Sequence, residues 1–182
     1  VPPIATLVAK IEAVTAARRV ADQVGGDVHV VLVGAPGIAG RASALAEYGA
    51  DLVVVSEHPG FANYAPEATT AFVAERVKGG DYRAVIFSAS QQGKDLAPRT
   101  AARLQQAIAT DVTSFVVGPD AVTVTHPGYT GKVIQTLRLI GTPAIVSLRP
   151  GAVTPVAKAG AGRTESVTPA ADPAAGRVAV TE

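Results

Sequence analysis

The stretch that decides the fold runs Ala84-Val-Ile-Phe-Ser-Ala-Ser-Gln-Gln-Gly-Lys-Asp-Leu-Ala-Pro-Arg-Thr-Ala-Ala-Arg-Leu104. It opens with a short apolar run rich in β-branched residues, which is typical of a strand buried on both faces. A polar segment follows, and apolar residues then recur at the spacing of an amphipathic helix. We predict a strand over Ala84–Ser88, a loop over Ser90–Lys94 and a helix over Asp95–Ile108.

The same order of strand and helix occurs twice upstream. Val28–Val33 and Leu52–Val55 are short apolar runs that predict strands. Helices are predicted near Ile38–Tyr48 and from Pro66 to the Gly79–Gly80 pair, since proline favours a first helical turn and glycine a helix end. Strands that alternate with helices at this spacing predict right-handed crossovers and a parallel sheet.

The two ends of this region follow other patterns. Apolar residues from Ile4 to Gln23 recur at helical spacing, so we predict a first helix with no strand before it. After Thr110 the pattern changes to strands without helices, and we predict them at the segments Thr113–Val117, Ala121–Thr125, Lys132–Leu137 and Ala144–Leu148. The predicted fold class is therefore α/β, a mostly parallel sheet flanked by helices with a β-hairpin edge.

The end of the chain has a different composition. From Gly151 to Glu182 there is no Leu, Ile, Phe, Tyr or Trp, while Pro, Gly, Ala, Ser and Thr dominate. Such a segment buries too little apolar surface to offset its ordering entropy. We predict an α/β domain over residues 1–156 and a flexible linker over 157–182, in which Arg177–Thr181 forms an orphan strand toward a domain that this chain lacks.

Composition narrows the class of protein. The 182 residues include 16 Lys and Arg against 15 Asp and Glu, a net charge of +1, which argues against a nucleic-acid partner. The absence of cysteine excludes metal sites with thiolate ligands. The chain has three widely separated histidines, which argues against a His-rich metal site. No apolar stretch approaches the ~18 residues of a membrane span. We expect a soluble, cytoplasmic protein, and the lack of Met predicts that residue 1 is not the start of translation.

Candidate chemistry lies in the loops that follow the strands. Free amides at the start of the helix after Ala84–Ser88, with Ser90, Gly93 and Lys94, would suit an anion. The competing interpretation is that Asp95 caps this helix and pairs with Arg99, four residues further on. No metal site and no catalytic residues are predicted.

Two further loops carry open alternatives. The glycines of Gly34–Gly40 would let a phosphate approach the backbone, or would serve a tight turn between strand and helix. The loop Glu57–Tyr64 presents Phe61 and Tyr64 as candidate partner contacts, because exposed aromatic residues often anchor interfaces. Packing of Phe61 in the core is the alternative.

A longer motif carries a resemblance to a known family. Ser90-Gln-Gln-Gly-Lys-Asp-Leu-Ala-Pro-Arg99, followed by Ala101-Ala-Arg-Leu104, resembles the S-x-x-G-K-D-L-A-P-R-x-A-A-x-L signature of the amino-terminal domain of the electron-transfer flavoprotein α-subunit. Val31-Leu-Val-Gly34, Tyr48-Gly-Ala-Asp51 and Ser56-Glu-His-Pro59 fall in the family's order. The similarity covers roughly residues 13–156.

The resemblance implies a Rossmann-like fold of the adenine-nucleotide α-hydrolase-like type and a role as an electron carrier, not an enzyme. The complete protein would pair with a β-subunit and carry electrons through FAD from dehydrogenases to a membrane quinone reductase. It would lie in the cytoplasm, or in the mitochondrial matrix of a eukaryote. The family's FAD site belongs to a second domain, so we expect this chain to bind no flavin.

The chain departs from the family pattern in one respect, and an alternative function stays open. The family opens with a strand that is central in the sheet, and the predicted first helix leaves no such strand here. The rival function is a nucleotide-binding α/β enzyme or sensor that uses the Ser90–Asp95 loop for phosphate. The sister subunit of the family holds a structural AMP, and the Ser90–Asp95 loop would be the degenerate equivalent of that site.

Overall fold

The computed structural model of the chain describes residues 4–7 and 11–176. Among these residues the α-helices are α1 (Ile11–Val24), α2 (Ala42–Ala46), α3 (Pro66–Gly79) and α4 (Gln91–Leu104). The strands are β1 (Ile4–Leu7), β2 (Val28–Gly34), β3 (Leu52–Glu57), β4 (Ala84–Ser88), β5 (Ile108–Val112), β6 (Ser114–Val117), β7 (Ala121–Gly128), β8 (Val133–Ile140), β9 (Ala144–Leu148) and β10 (Arg163–Ser166). Short 3₁₀ turns lie at Ile38–Arg41, Pro59–Phe61, Tyr129–Gly131 and Pro173–Ala175.

Seven strands form one parallel sheet in the order β10-β3-β2-β1-β4-β9-β5. The order reverses at β1, because the chain adds β2 and β3 on one side of it and then crosses to β4 on the other. Ligands of open α/β sheets bind at the carboxyl ends of the strands near such a reversal. The prediction of an α/β fold with a mostly parallel sheet flanked by helices is confirmed.

Each face of the sheet has its own apolar core. Val30 of β2 belongs to the core that α1 and the strands β6–β8 cover, while the next residue, Val31, belongs to the core that α3 and α4 cover. Successive side chains of a strand point to opposite faces, so a continuous apolar run supplies both cores. This double burial is why β2, β3, β4 and β9 were predictable as strands.

The predicted hairpin is present but does not lie at the edge of the parallel sheet. Strands β6, β7 and β8 form a separate three-stranded antiparallel sheet. Its inner residues Val117, Val122 and Leu139 pack into the same core as α1. Strand β9 then returns to the parallel sheet between β4 and β5. The region after Thr110 thus builds a second small sheet on one face of the domain.

Two predicted helix boundaries are wrong. Residues 4–7 form β1, which pairs with both β2 and β4, so the central strand that the family pattern requires is present in the chain. Ile108 begins β5, because α4 ends at Leu104 and Gln105 adopts a left-handed conformation at φ 55°. Four apolar-rich residues fit a helix or a strand equally well, and Gln105 carries no glycine signal for a helix end.

The prediction of a flexible linker is wrong for residues 158–167. Strand β10 pairs in parallel with β3. Lys158, Gly160 and Gly162 donate backbone hydrogen bonds of 2.9, 2.9 and 3.1 Å to the end of α2 and the segment that follows it. Gly160 allows this approach, since a Cβ at this position would lie 2.3 Å from the backbone oxygen of Ala50. The predicted strand Arg177–Thr181 lies outside the described residues.

Candidate functional site at the carboxyl edge of the sheet

The loop after β4 is organised by Ser90 and not by Asp95. Ser90 is the N-cap of α4, and its Oγ accepts a hydrogen bond of 3.3 Å from the Gly93 amide. Gly93 is buried against the end of β4, where a Cβ would lie 1.8 Å from the Ser88 carbonyl oxygen. The predicted cap at Asp95 is wrong, because the helix begins at Gln91 and Asp95 lies within it.

The structure brings Ser90, Gly93 and Lys94 together at the first turn of α4, as the anion-site prediction requires. The Gly93 amide, which an anion would need, already has a partner in Ser90. The Lys94 amide donates to the Ser90 carbonyl oxygen at 2.8 Å, and the Lys94 side chain is exposed. These groups therefore support the start of the helix.

Backbone amides of the glycine loop after β2, like the Gly93 amide, are bound by a side chain of the same chain. Glu57, at the end of β3, accepts hydrogen bonds from the Gly37 and Ala39 amides at 2.8 and 3.0 Å, both on Oε1. Gly37 adopts a φ of 101°, a conformation that favours glycine. The loop is a tight turn whose amides bind a carboxylate of the same chain, which favours the structural alternative over the phosphate alternative.

Tyr64, Asp95 and Arg99 form a connected polar group beside these loops. The Tyr64 hydroxyl donates to Asp95 Oδ2 at 2.7 Å, and Arg99 Nε donates to Asp95 Oδ1 at 2.7 Å, which confirms the predicted Asp95–Arg99 pair. The hydrogen bond from Arg99 lowers the pKa of Asp95, while burial and Asp95 raise the pKa of Tyr64. The tyrosine therefore stays protonated and ties the loop after β3 to α4.

The candidate partner contacts are less exposed than predicted. Phe61 is 8% exposed and packs edge-to-face against the His58 ring, with 6.4 Å between the ring centroids. Its expected role as an exposed anchor is therefore wrong, and core packing is the correct alternative. Tyr64 is half-buried and held by Asp95.

A cavity of about 360 Å³ opens between these loops, and we call it the carboxyl-edge cavity. Strand β2, the loops after β2 and β3, and the first turns of α3 and α4 supply its walls. Its polar lining includes Arg41, Asn63, Thr69 and Gln92, and its apolar floor includes Val31, Val73 and Leu96. The sequence does not predict this cavity, because Arg41 and Thr69 belong to no recognisable motif. Only the fold places them at the same cavity.

The second small sheet presents an apolar surface that sequence reasoning also missed. Val116, Ile134 and Ile140 are 61%, 63% and 74% exposed. The strand pairing places all three on the outer face of the sheet β6-β7-β8, which we call the outer face. Strand alternation in β8 was a usable signal, since Ile134 and Ile140 lie on the face opposite to the buried Leu139.

Three backbone amides of the kind that bind a pyrophosphate are already paired within the chain. Doubly wound folds bind a pyrophosphate on free amides at a glycine-rich helix start. In the two such turns that the structure describes, Glu57 takes the Gly37 and Ala39 amides and Ser90 takes the Gly93 amide. Within residues 4–7 and 11–176 no acidic or histidine cluster could hold a metal ion, and no helix is long and apolar enough to cross a bilayer.

Comparison with known proteins gives a consistent family assignment. The model of the electron transfer flavoprotein domain matches residues 9–174. The electron transfer flavoprotein subunit alpha of Syntrophomonas wolfei is 34% identical over 142 residues, which are 78% of this chain and 44% of that protein. The subunit alpha of Bacillus subtilis is 32% identical over 141 residues, 76% of this chain and 42% of that protein.

A third relative, the subunit alpha of Thermoanaerobacterium thermosaccharolyticum, is 30% identical over 143 residues, 78% of this chain and 43% of that protein. The chain thus spans less than half the length of these relatives. The recognised motif after β4 and the parallel sheet agree with the match over residues 9–174. This chain belongs to the electron transfer flavoprotein domain family, and the three relatives named here are α-subunits.

Proposed function

We propose that this chain is the amino-terminal domain of an electron transfer flavoprotein α-subunit and serves as a docking scaffold without a flavin of its own. The observation that carries the proposal is the family match over residues 9–174, combined with helix-start amides that bind Glu57 and Ser90. In the complete protein a second domain holds FAD, which accepts and releases electrons. That protein is a carrier, since partners load and unload its electrons and no substrate bond is broken.

The proposed partners follow from this role. The complete protein pairs with a β-subunit, receives electrons from dehydrogenases and passes them to a quinone reductase. It works in the cytoplasm, or in the mitochondrial matrix of a eukaryote. The rival function, a nucleotide-binding enzyme or sensor that uses the Ser90–Asp95 loop, is not favoured by a loop whose Gly93 amide is already paired.

The outer face of the second sheet is the proposed contact with the β-subunit. Exposed apolar residues that cluster on one face mark interaction sites in soluble proteins. Val116, Ile134 and Ile140 lie on this face. Arg138 lies on it too and can donate to a partner's carboxylate or backbone. Among the described strands β8 pairs only with β7, so its other edge also offers backbone groups.

Co-purification with the β-subunit of the same organism tests this contact. We expect Ile134→Asp combined with Ile140→Asp to weaken the complex about thirtyfold or more, the effect of losing an interface hot spot. Val156→Asp is the matched control, because Val156 is also exposed, at 49%, but lies outside the second sheet. Equal loss of binding in the control and the double variant would contradict the assignment of the outer face.

A second measurement tests the proposed absence of flavin. The purified chain is incubated with excess FAD, desalted and examined by visible absorption. We expect no retained flavin absorbance. Retention near one flavin per chain would contradict the proposal that a second domain holds the cofactor.

A further inference from the structure

The carboxyl-edge cavity contains polar side chains that have no partner in the described part of the chain. No hydrogen bond or ion pair is found there for the side chains of Arg41, Asn63, Thr69 or Gln92, although all four line the cavity. The neighbouring Tyr64–Asp95–Arg99 group is, by contrast, paired internally. Unpaired polar groups around one cavity are a feature of ligand sites.

Thr69 is the most informative of these residues. It lies in the first half of α3, and the residue as a whole is 8% exposed. Its hydroxyl has no hydrogen bond among the described residues and is not one of their enclosed unpaired oxygens, so it is open to the cavity. Because Thr69 lines the cavity, its hydroxyl can donate a hydrogen bond to a ligand there.

Arg41 gives the cavity its charge. It is exposed at the end of the 3₁₀ turn after β2, and it is the one charged residue among those that line the cavity within the described chain. Glu57, at the end of the neighbouring strand β3, is bound to the Gly37 and Ala39 amides, and no ion pair is found for Arg41 among the described residues. The guanidinium is therefore free to bind an anion, and its planar fork matches a carboxylate.

The floor of the cavity is apolar. Val31, Val73 and Leu96 are each at most 2% exposed and belong to the core under α3 and α4. A volume of about 360 Å³ lies near the lower end of small-molecule sites. The size and lining suit a compact apolar body with one anionic group, and the Gly37, Ala39 and Gly93 amides are already paired, which disfavours a pyrophosphate.

We propose that the carboxyl-edge cavity binds a small organic carboxylate, with the carboxylate on Arg41, hydrogen bonds from Asn63, Thr69 and Gln92, and the apolar body on the floor of β2 and α4. This site is separate from the outer face and does not depend on the proposed function. Its failure would leave the family assignment and the β-subunit contact unaffected.

Titration of the ¹⁵N-labelled 182-residue chain by NMR tests the proposal, with 2-naphthoate as the probe and uncharged 2-naphthylmethanol as its control. We expect saturable shifts of the side-chain amides of Asn63 and Gln92 with 2-naphthoate. The alcohol should bind at least about tenfold more weakly, because it cannot pair with the guanidinium. Equal binding of the two compounds, or no saturation by 2-naphthoate, would overturn the proposal.

Variants locate the site. Arg41→Gln should weaken 2-naphthoate at least about tenfold, whereas Arg103→Gln, an exposed arginine in the last turn of α4, should leave the affinity unchanged. Thr69→Val keeps the side-chain shape and should weaken binding while the chain stays folded. A response to AMP that is tighter than that to 2-naphthoate and equally dependent on Arg41 would assign the cavity to a nucleotide and overturn the carboxylate assignment.

Discussion

Gly93→Ala is the most direct perturbation of the loop after β4. The new Cβ would lie 1.8 Å from the Ser88 carbonyl oxygen and 3.4 Å from Ser90 Oγ. Inserting one carbon into a packed region costs about 1–3 kcal/mol, and a clash with a backbone carbonyl cannot be relieved by a rotamer change. We therefore expect the free energy of unfolding to fall by about 3 kcal/mol, the upper end of that range.

Urea denaturation followed by circular dichroism measures this loss, and thermal unfolding should show a Tm lower by roughly 6–12 °C for a domain of this size. Gly79→Ala is the matched control, since Gly79 ends α3 and no atom lies within 4 Å of its would-be Cβ. The control should change the free energy of unfolding by less than about 1 kcal/mol, in the stabilising direction. A loss below about 0.5 kcal/mol for Gly93→Ala would refute the packing argument.

Three further predictions concern other parts of the chain. Ser90→Ala removes the acceptor of the Gly93 amide, and the free energy of unfolding should fall by about 1 kcal/mol in urea; an unchanged value would contradict the capping role. Burial, then the charge of Arg76, lowers the pKa of His29, so the folded chain binds fewer protons and loses stability as the pH falls below the ordinary value of 6.5. His29→Gln should abolish this loss between about pH 7 and 5, and an identical pH profile would contradict it. Gly162→Ala, at φ +64°, should speed amide exchange over Arg163–Ser166 about tenfold or more without changing Ala84–Ser88, which serve as the internal control.

The strands that the sequence predicts correctly are those with a continuous run of apolar side chains. Strand β4 is buried at all five positions, and its apolar run is visible without the fold. Strand β10 has four polar residues, Arg163–Ser166, and docks through its backbone along the free edge of β3. Its side chains give no periodic signal, so only the tertiary structure reveals it. The four residues of β1 are too few to distinguish a strand from a first helical turn.

The sequence predicts where the candidate site lies, at the loop after β4, but not which residue caps the helix that follows. Ser90 and Asp95 are both good N-cap residues, and the sequence offers no means to choose between them. The choice is made by Gly93, which must lie against Ser88 and so sets the helix start at Gln91. Likewise, Phe61 is buried and contacts the His58 ring, and no spacing pattern in the loop sequence predicts this packing.

The signature of the family has a structural explanation in this chain. Ser90 caps α4, Gly93 permits the approach to β4, and Asp95 joins Tyr64 to Arg99. These contacts are internal, and together they fix the loop after β3 against α4. Glu57 likewise accepts from the amides of the glycine loop, so contacts within the chain hold both loops at this edge of the sheet. These contacts agree with the proposed role as a docking scaffold, in which the outer face would meet the partner.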